Sequence, residues 1–169
     1  MEIFKRPALF IIVVLSLGVA ATVVYVDYNN KKIEAKYREV LSQSCSFAQR
    51  AITDIYDAVS SDSMSYSEIL VKTRQSEQEL ETAKRILDYG KIGIDSVGMS
   101  TRSAKSFTYS WDMSMLKRLI ELTISDSIDI AIAIGDIESI QDGSAEEGVE
   151  LAQRRAVGAT STCSEYKLN

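Results

Sequence analysis

The chain has 169 residues, of which 46% are apolar and 25% charged, and its formal net charge is −5. This length suits one folded domain with an appendage, and the acidic balance without a basic patch excludes a nucleic-acid-binding surface. Histidine is absent, which removes the usual general base of serine and cysteine nucleophiles and the commonest zinc ligand. No motif specifies a reaction, a cofactor or a metal, so we expect a protein that is not an enzyme.

The chain begins with its most apolar segment. Residues 7–26 read PALFIIVVLSLGVAATVVYV and contain no charged residue; at helical rise they span roughly 30 Å, the hydrocarbon thickness of a bilayer. This predicts an N-terminal transmembrane helix that acts as a signal anchor after a short tail. A cleaved signal peptide is the alternative, but the apolar run continues past the small residues VAA that would form its cleavage site.

Small residues recur within this predicted span. Ser16 with Ala20, and Gly18 with Thr22, form two pairs that would let two such helices approach closely. These four residues are the candidate transmembrane packing set, and they suit a homo-oligomer.

The orientation of the predicted span follows from its position and from the cysteines. Basic residues flank the span on both sides, and their count alone leans towards a cytoplasmic C-terminal domain. A single span after a short basic tail is instead typical of a signal anchor, and a disulfide would favour an extracytoplasmic domain. We expect a single-pass cell (inner) membrane protein with residues 1–6 cytoplasmic and residues 27–169 extracytoplasmic, in the periplasm.

Beyond the span the sequence reads as helix. A first helix to Val59 carries one apolar stripe at three- and four-residue spacing, and Pro7, the only proline, does not interrupt it. The predicted stripe consists of Ile33, Tyr37, Val40, Leu41, Cys45, Ala48, Ile52, Ile55 and Val59. Ser65 and Glu68 form a capping box for a second helix, which we expect to end before Gly90.

A third helix is predicted over residues 111–141, and a fourth, opened by a capping box of Ser144 and Glu147, over residues 144–159. The fold class is therefore all-α, with the transmembrane helix continuing into an up-and-down bundle of about four helices. One segment leaves an alternative open. Isoleucine alternates with other residues over 128–134, which is typical of a short, half-buried strand. The helical turns upstream favour helix.

The two cysteines, Cys45 and Cys163, lie far apart in the sequence. Cys45 precedes the top of the first helix, and Cys163 follows the turn that opens the fourth, so that both lie roughly 20–25 Å below the top of an up-and-down bundle. This matched depth predicts a disulfide between them. Two unrelated thiols are the alternative.

The segment 90–110 is rich in glycine and serine and is the one long irregular stretch predicted. Loops on rigid scaffolds commonly carry function, and aromatic residues beside basic ones are typical anchors of protein interfaces. The candidate interface residues are Tyr89, Arg102, Lys105, Phe107, Tyr109 and Trp111. The competing interpretation is that the aromatic side chains cap the core of the bundle.

In outline the chain is similar to phage lysozymes tethered by a signal-arrest segment, whose catalytic pattern is Glu, eight residues, Asp or Cys, five residues, Thr. Glu79 and Asp88 have the first spacing, but Ile94 stands where threonine is needed. The glutamate would also lie in the middle of a helix. We therefore do not expect this activity.

The remaining reading is a non-catalytic, membrane-anchored protein that contacts lipid through its N-terminal helix. We expect its extracytoplasmic domain to bind one or more envelope proteins as an accessory or assembly subunit of a complex. One alternative is a phage-type lysis or envelope-bridging factor, since inner-membrane spanins resemble this chain in topology. Another alternative is a ligand-sensing bundle.

Overall fold

The computed structural model describes residues 5–61, 63–95, 104–135 and 144–166. Within these ranges the side chains of residues 5–12, 104, 106, 128, 130–135, 144 and 145 are not described. The described residues form four α-helices and a terminal 3-10 helix: α1 (Lys5–Val59), α2 (Tyr66–Asp95), α3 (Ala104–Gly135), α4 (Ser144–Cys163) and Ser164–Tyr166. No strand occurs in this part of the chain, and the all-α prediction is confirmed.

Helix α1 is a single helix of 55 residues, about 80 Å long at helical rise. Pro7 lies in its first turn, where a missing backbone donor costs least, so the apolar N-terminal segment continues into the bundle without a break. Its second half buries the predicted stripe, except that Val40 is half-buried. α1 ends where the polar, serine-rich segment after Val59 offers no further apolar face.

Among the residues that the structure describes, no helix has an apolar stretch long enough to cross a membrane. This finding does not support the span predicted at residues 7–26. The side chains of that span before Val13 lie outside the described residues.

Helix α2 opens with the predicted capping box. The backbone N–H of Ser65 donates to Glu68 Oε2 at 2.8 Å, and the Ser65 hydroxyl accepts from the backbone N–H of Glu68 at 3.4 Å. The predicted end at Gly90 is wrong, because α2 continues to Asp95. Gly90 lies against α1 instead: a Cβ atom there would stand 2.5 Å from a Val40 methyl carbon. The glycine allows close packing and does not end the helix.

Helix α3 begins at Ala104, seven residues before the predicted start at 111. The long loop predicted over 90–110 is therefore wrong in most of its length, and its central residues 96–103 lie outside the described residues, as do residues 136–143. The strand alternative at 128–134 is also wrong, because the backbone there is helical to Gly135. A helix pairs its backbone N–H and C=O groups within itself, whereas a strand needs a partner strand to pair them. The helical turns upstream therefore continue through this segment.

Each helix packs antiparallel to the next, and α4 returns to α1. Ion pairs mark the register of α2 against α3, with Lys84 near Glu121 at 3.4 Å and Asp88 near Lys117 at 2.6 Å. The predicted up-and-down bundle of four helices is confirmed for the described residues. The core lies between the helices, and its most deeply buried large side chains are Leu41, Ile52, Ile55, Leu80, Leu87, Leu116 and Ile120.

Candidate interaction site

The predicted disulfide is present. Cys45 of α1 and Cys163, the last residue of α4, are bonded through their sulfur atoms; their Cα atoms are 5.5 Å apart, and the residues are 118 positions apart in sequence. Their side chains are buried, at 3% and 1% exposure. The bridge holds the C-terminal end of α4 against the last third of α1, as the matched depths predict.

A tyrosine cluster lies below the bridge, towards the apolar segment. The rings of Tyr37 and Tyr109 stack with centroids 6.0 Å apart, and Tyr166 meets the Tyr109 ring edge-on at 6.4 Å. Arg38 Nε donates to the Tyr109 hydroxyl at 2.8 Å, and the Tyr166 hydroxyl donates to the Asp112 carboxylate. Burial, followed by the hydrogen bond to Asp112, raises the pKa of Tyr166 above its ordinary range.

The predicted interface residues fall into a buried group and an exposed group. Tyr109 is only 8% exposed and belongs to the core. Tyr89, Phe107 and Trp111 are 73%, 74% and 60% exposed, so the capping interpretation does not hold for them. Lys105 is exposed as well, whereas Arg102 lies outside the described residues.

Phe107 and Trp111 belong to a longer row along α3. Met115 and Leu122, which the sequence reasoning missed, continue the row at 44% and 38% exposure, and the exposed Arg118 lies between them. We call these five residues the α3 stripe. Their three- and four-residue spacing places them on one face of the helix, opposite the buried face of Tyr109, Met113, Leu116 and Ile120.

The α3 stripe carries an unpaired positive charge. Lys117 is engaged with Asp88 at 2.6 Å, and Glu121 is engaged with Lys84 at 3.4 Å. Arg118 makes no ion pair with any described residue. A guanidinium flanked by exposed aromatic and apolar side chains is the combination that is enriched at the centres of protein interfaces.

A second surface feature is a cleft of about 500 Å³ beside the disulfide, between α1 and the end of α4. Most of its lining residues are polar in type, but the surface that they present to the cleft is mainly apolar. Ser42 Oγ is buried there without a hydrogen-bond partner among the described residues. The cleft is lined by Ser42, Cys45, Ser46, Gln49, Arg50, Thr53, Asp54, Cys163 and Tyr166. The described residues include no group of three or more Cys, Asp or Glu arranged to hold a metal ion.

The predicted transmembrane packing residues lie on the free part of α1. Ser16, Gly18, Ala20 and Thr22 are all exposed, and a Cβ atom at Gly18 would meet nothing within 4 Å. The Thr22 hydroxyl donates to the Gly18 carbonyl of its own helix at 2.7 Å. In a single chain this surface is uncovered.

Comparison of the chain with protein-family models, curated proteins and solved structures finds no match. The α3 stripe, the cleft and the exposed N-terminal part of α1 are thus the surfaces from which a function can be proposed.

Proposed function

We propose that the protein is a single-pass membrane-anchored protein whose extracytoplasmic helical bundle binds partner proteins as an accessory or assembly subunit of an envelope complex. The observation that carries the proposal is the α3 stripe, in which Phe107 and Trp111 are exposed on a rigid helix. Large aromatic side chains exposed in a row on a monomer mark an interaction surface, because burying each one gains roughly 1.5–3 kcal/mol.

The exposed N-terminal part of α1 supports the anchor. From Val13 to Val26 its large apolar side chains are 45% to 69% exposed, although from Ile33 onward the same helix buries its apolar stripe, apart from the half-buried Val40. Such a continuous apolar surface is unfavourable in water and favourable in lipid. The proposed span extends from Pro7 to Val26.

The disulfide supports the proposed orientation. Bridged cysteines persist in oxidising compartments and are rare in the cytosol, which favours an extracytoplasmic bundle containing Cys45 and Cys163, with residues 1–6 cytoplasmic.

The experiment uses a photo-crosslinking amino acid at Trp111 of the full chain in native membranes. We expect a discrete adduct with another protein. The matched control carries the same crosslinker at Val157, which is similarly exposed at 64% but lies on α4, away from the stripe. The Trp111→Ala variant should lose the partner without a change in melting temperature, whereas Tyr109→Ala should melt earlier. Absence of any protein adduct at position 111 would contradict the proposal.

A second candidate function, ligand sensing, is favoured by the cleft beside the disulfide. Its buried, unpartnered Ser42 hydroxyl would gain a hydrogen bond from a polar small molecule. A screen of polar metabolites by thermal shift, with Ser42→Ala as the comparison, tests this function. A ligand of this cleft should stabilise the wild-type protein more than the variant.

A further inference from the structure

The α3 stripe has the geometry of a seam for another helix. Its residues follow one another at intervals of four, four, three and four positions from Phe107 to Leu122, and they extend roughly 22 Å along α3. Side chains at such spacing interdigitate with a second helix that lies alongside. Arg118 interrupts the apolar row near its far end, so the seam carries one positive charge among four apolar side chains.

The surroundings of Arg118 define what a complementary surface must supply. The carboxylate of Glu121, three residues from Arg118 on α3, is engaged with Lys84 at 3.4 Å. When a partner covers the apolar side chains, the guanidinium loses water and needs a carboxylate from that partner. A neutral apolar surface would bury the charge unpaired.

Two other occupants fit less well, given the proposed anchor. Two copies in one membrane stand parallel, so a symmetric seam would bring Arg118 of one copy against Arg118 of the other, and like charges at such a position disfavour pairing. A lipid surface fits poorly as well. The stripe runs along α3, antiparallel to α1, and therefore along the membrane normal, so only its lower end could reach lipid.

We infer that the α3 stripe docks one amphipathic helix of a partner protein, with apolar residues at three- and four-residue spacing and an Asp or Glu opposite Arg118. This inference rests on the proposed function, because it specifies the partner's surface. In helix-in-groove binding, a few apolar anchor residues of the partner helix supply the main contacts. The charge of Arg118 then discriminates among helices that have the same anchors.

The chain contains its own probe of docking, because Trp111 is its single tryptophan and is 60% exposed. Covering it should shift its fluorescence to shorter wavelength. The ligands are two synthetic helical peptides with the same leucine seam, one with Glu and one with Lys at the position opposite Arg118. The protein is the full chain in nanodiscs at low ionic strength.

We expect the Glu peptide to bind about five- to tenfold more tightly than the Lys peptide, and Arg118→Glu to reverse this order. Arg118→Lys should keep the order. Equal binding of both peptides overturns the inference. So does a wavelength shift that grows with protein concentration alone, which indicates a second copy, or one produced by peptide-free vesicles, which indicates lipid.

The outcomes separate this inference from the proposed function. A protein adduct at position 111 that is unaffected by Arg118→Glu supports the function and overturns the charge-selected helix. Discrimination between the peptides without any adduct in native membranes supports the seam and contradicts the function.

Discussion

Gly90 of α2 lies so close to Val40 of α1 that a Cβ atom at Gly90 would stand 2.5 Å from both methyl carbons of Val40. Real Cβ contacts are essentially never this short, so the Val40 side chain or one of the two helices has to shift when a side chain is added. The contact lies in the lower half of the bundle and sets how closely α1 and α2 approach there.

Gly90→Ala should destabilise the protein by up to about 2 kcal/mol, because an overpacking cost of about 1–3 kcal/mol outweighs the gain of about 1 kcal/mol from replacing glycine in a helix. Gly93→Ala is the matched control, since a Cβ atom there meets nothing within 4 Å. It should stabilise the protein by about 0.5–1 kcal/mol. Urea unfolding of both variants checks the two signs. Val40→Ala in the Gly90→Ala background should recover part of the loss, and equal effects of the two alanines would contradict the packing argument.

Removal of the disulfide should lower stability without loss of helical content. The Cys45–Cys163 bridge joins residues 118 positions apart, for which loop-closure entropy predicts about 4–5 kcal/mol. Circular dichroism of Cys163→Ser should show the helical spectrum of the wild type with a lower melting temperature. The double variant Cys45→Ser/Cys163→Ser should match the single one, because the bridge is already lost. Two free thiols in the untreated wild-type protein would refute the pairing.

The ion pair of Arg155 with Asp126 should stabilise the α3–α4 contact measurably. Arg155 Nε and Nη2 both donate to Asp126 Oδ2, at 2.9 and 2.7 Å, and the two side chains are only 23% and 20% exposed. Asp126→Asn should cost about 1–2 kcal/mol. Glu150→Gln breaks the pair with Arg154, at 60% and 67% side-chain exposure, and should change the unfolding free energy by less than about 0.5 kcal/mol. Chemical denaturation of the two variants decides the point; similar losses would show that burial does not matter here.

Stability should fall at alkaline pH through Tyr166. Its pKa is raised in the folded protein by burial and by the bond to Asp112, whereas in the unfolded chain a tyrosine ionises near about 10. The contribution of Tyr166 to the unfolding free energy is therefore complete below pH about 10. It declines above that pH, because the unfolded state releases a proton that the folded state keeps. Burial also raises the pKa of Tyr37, which adds to the decline.

Denaturant unfolding between pH 8 and 11 should show that the unfolding free energy of Tyr166→Phe declines less steeply with pH than that of the wild type. Loss of one titrating proton changes this slope by at most about 1.4 kcal/mol per pH unit. Parallel curves for the two proteins would mean that Tyr166 titrates alike in both states.

Local patterns predicted much of this fold. The capping box of Ser65 and Glu68 involves residues three positions apart, so the sequence alone contains both partners. The stripe on α1 follows helical periodicity, which is also local. The pairing of Cys45 with Cys163 follows from the number of residues along antiparallel helices, because helical rise is constant.

The errors arose where the decisive partner is distant in sequence. Gly90 resembles a helix stop, and its role depends on Val40, fifty positions earlier. Residue type alone does not show which aromatic residues around α3 are buried and which are exposed. Tyr109 shares helical spacing with the apolar residues at 113, 116 and 120, and this spacing indicates a core position. A helix predicted to begin at 111 leaves Tyr109 outside that pattern. The same error concealed the link between Phe107 and Trp111 and hence the stripe.

The disulfide also determines how the protein can be cut. Residues 46–162 lie inside the covalent ring, so a single cleavage anywhere among them leaves both products joined through Cys45 and Cys163. One cut can release the bundle from the apolar part of α1 only before Cys45, where the chain is a plain helix outside the ring. Release of the bundle from the apolar part of α1 by one proteolytic event therefore requires cleavage between that part and Cys45. A nick elsewhere becomes visible only after reduction.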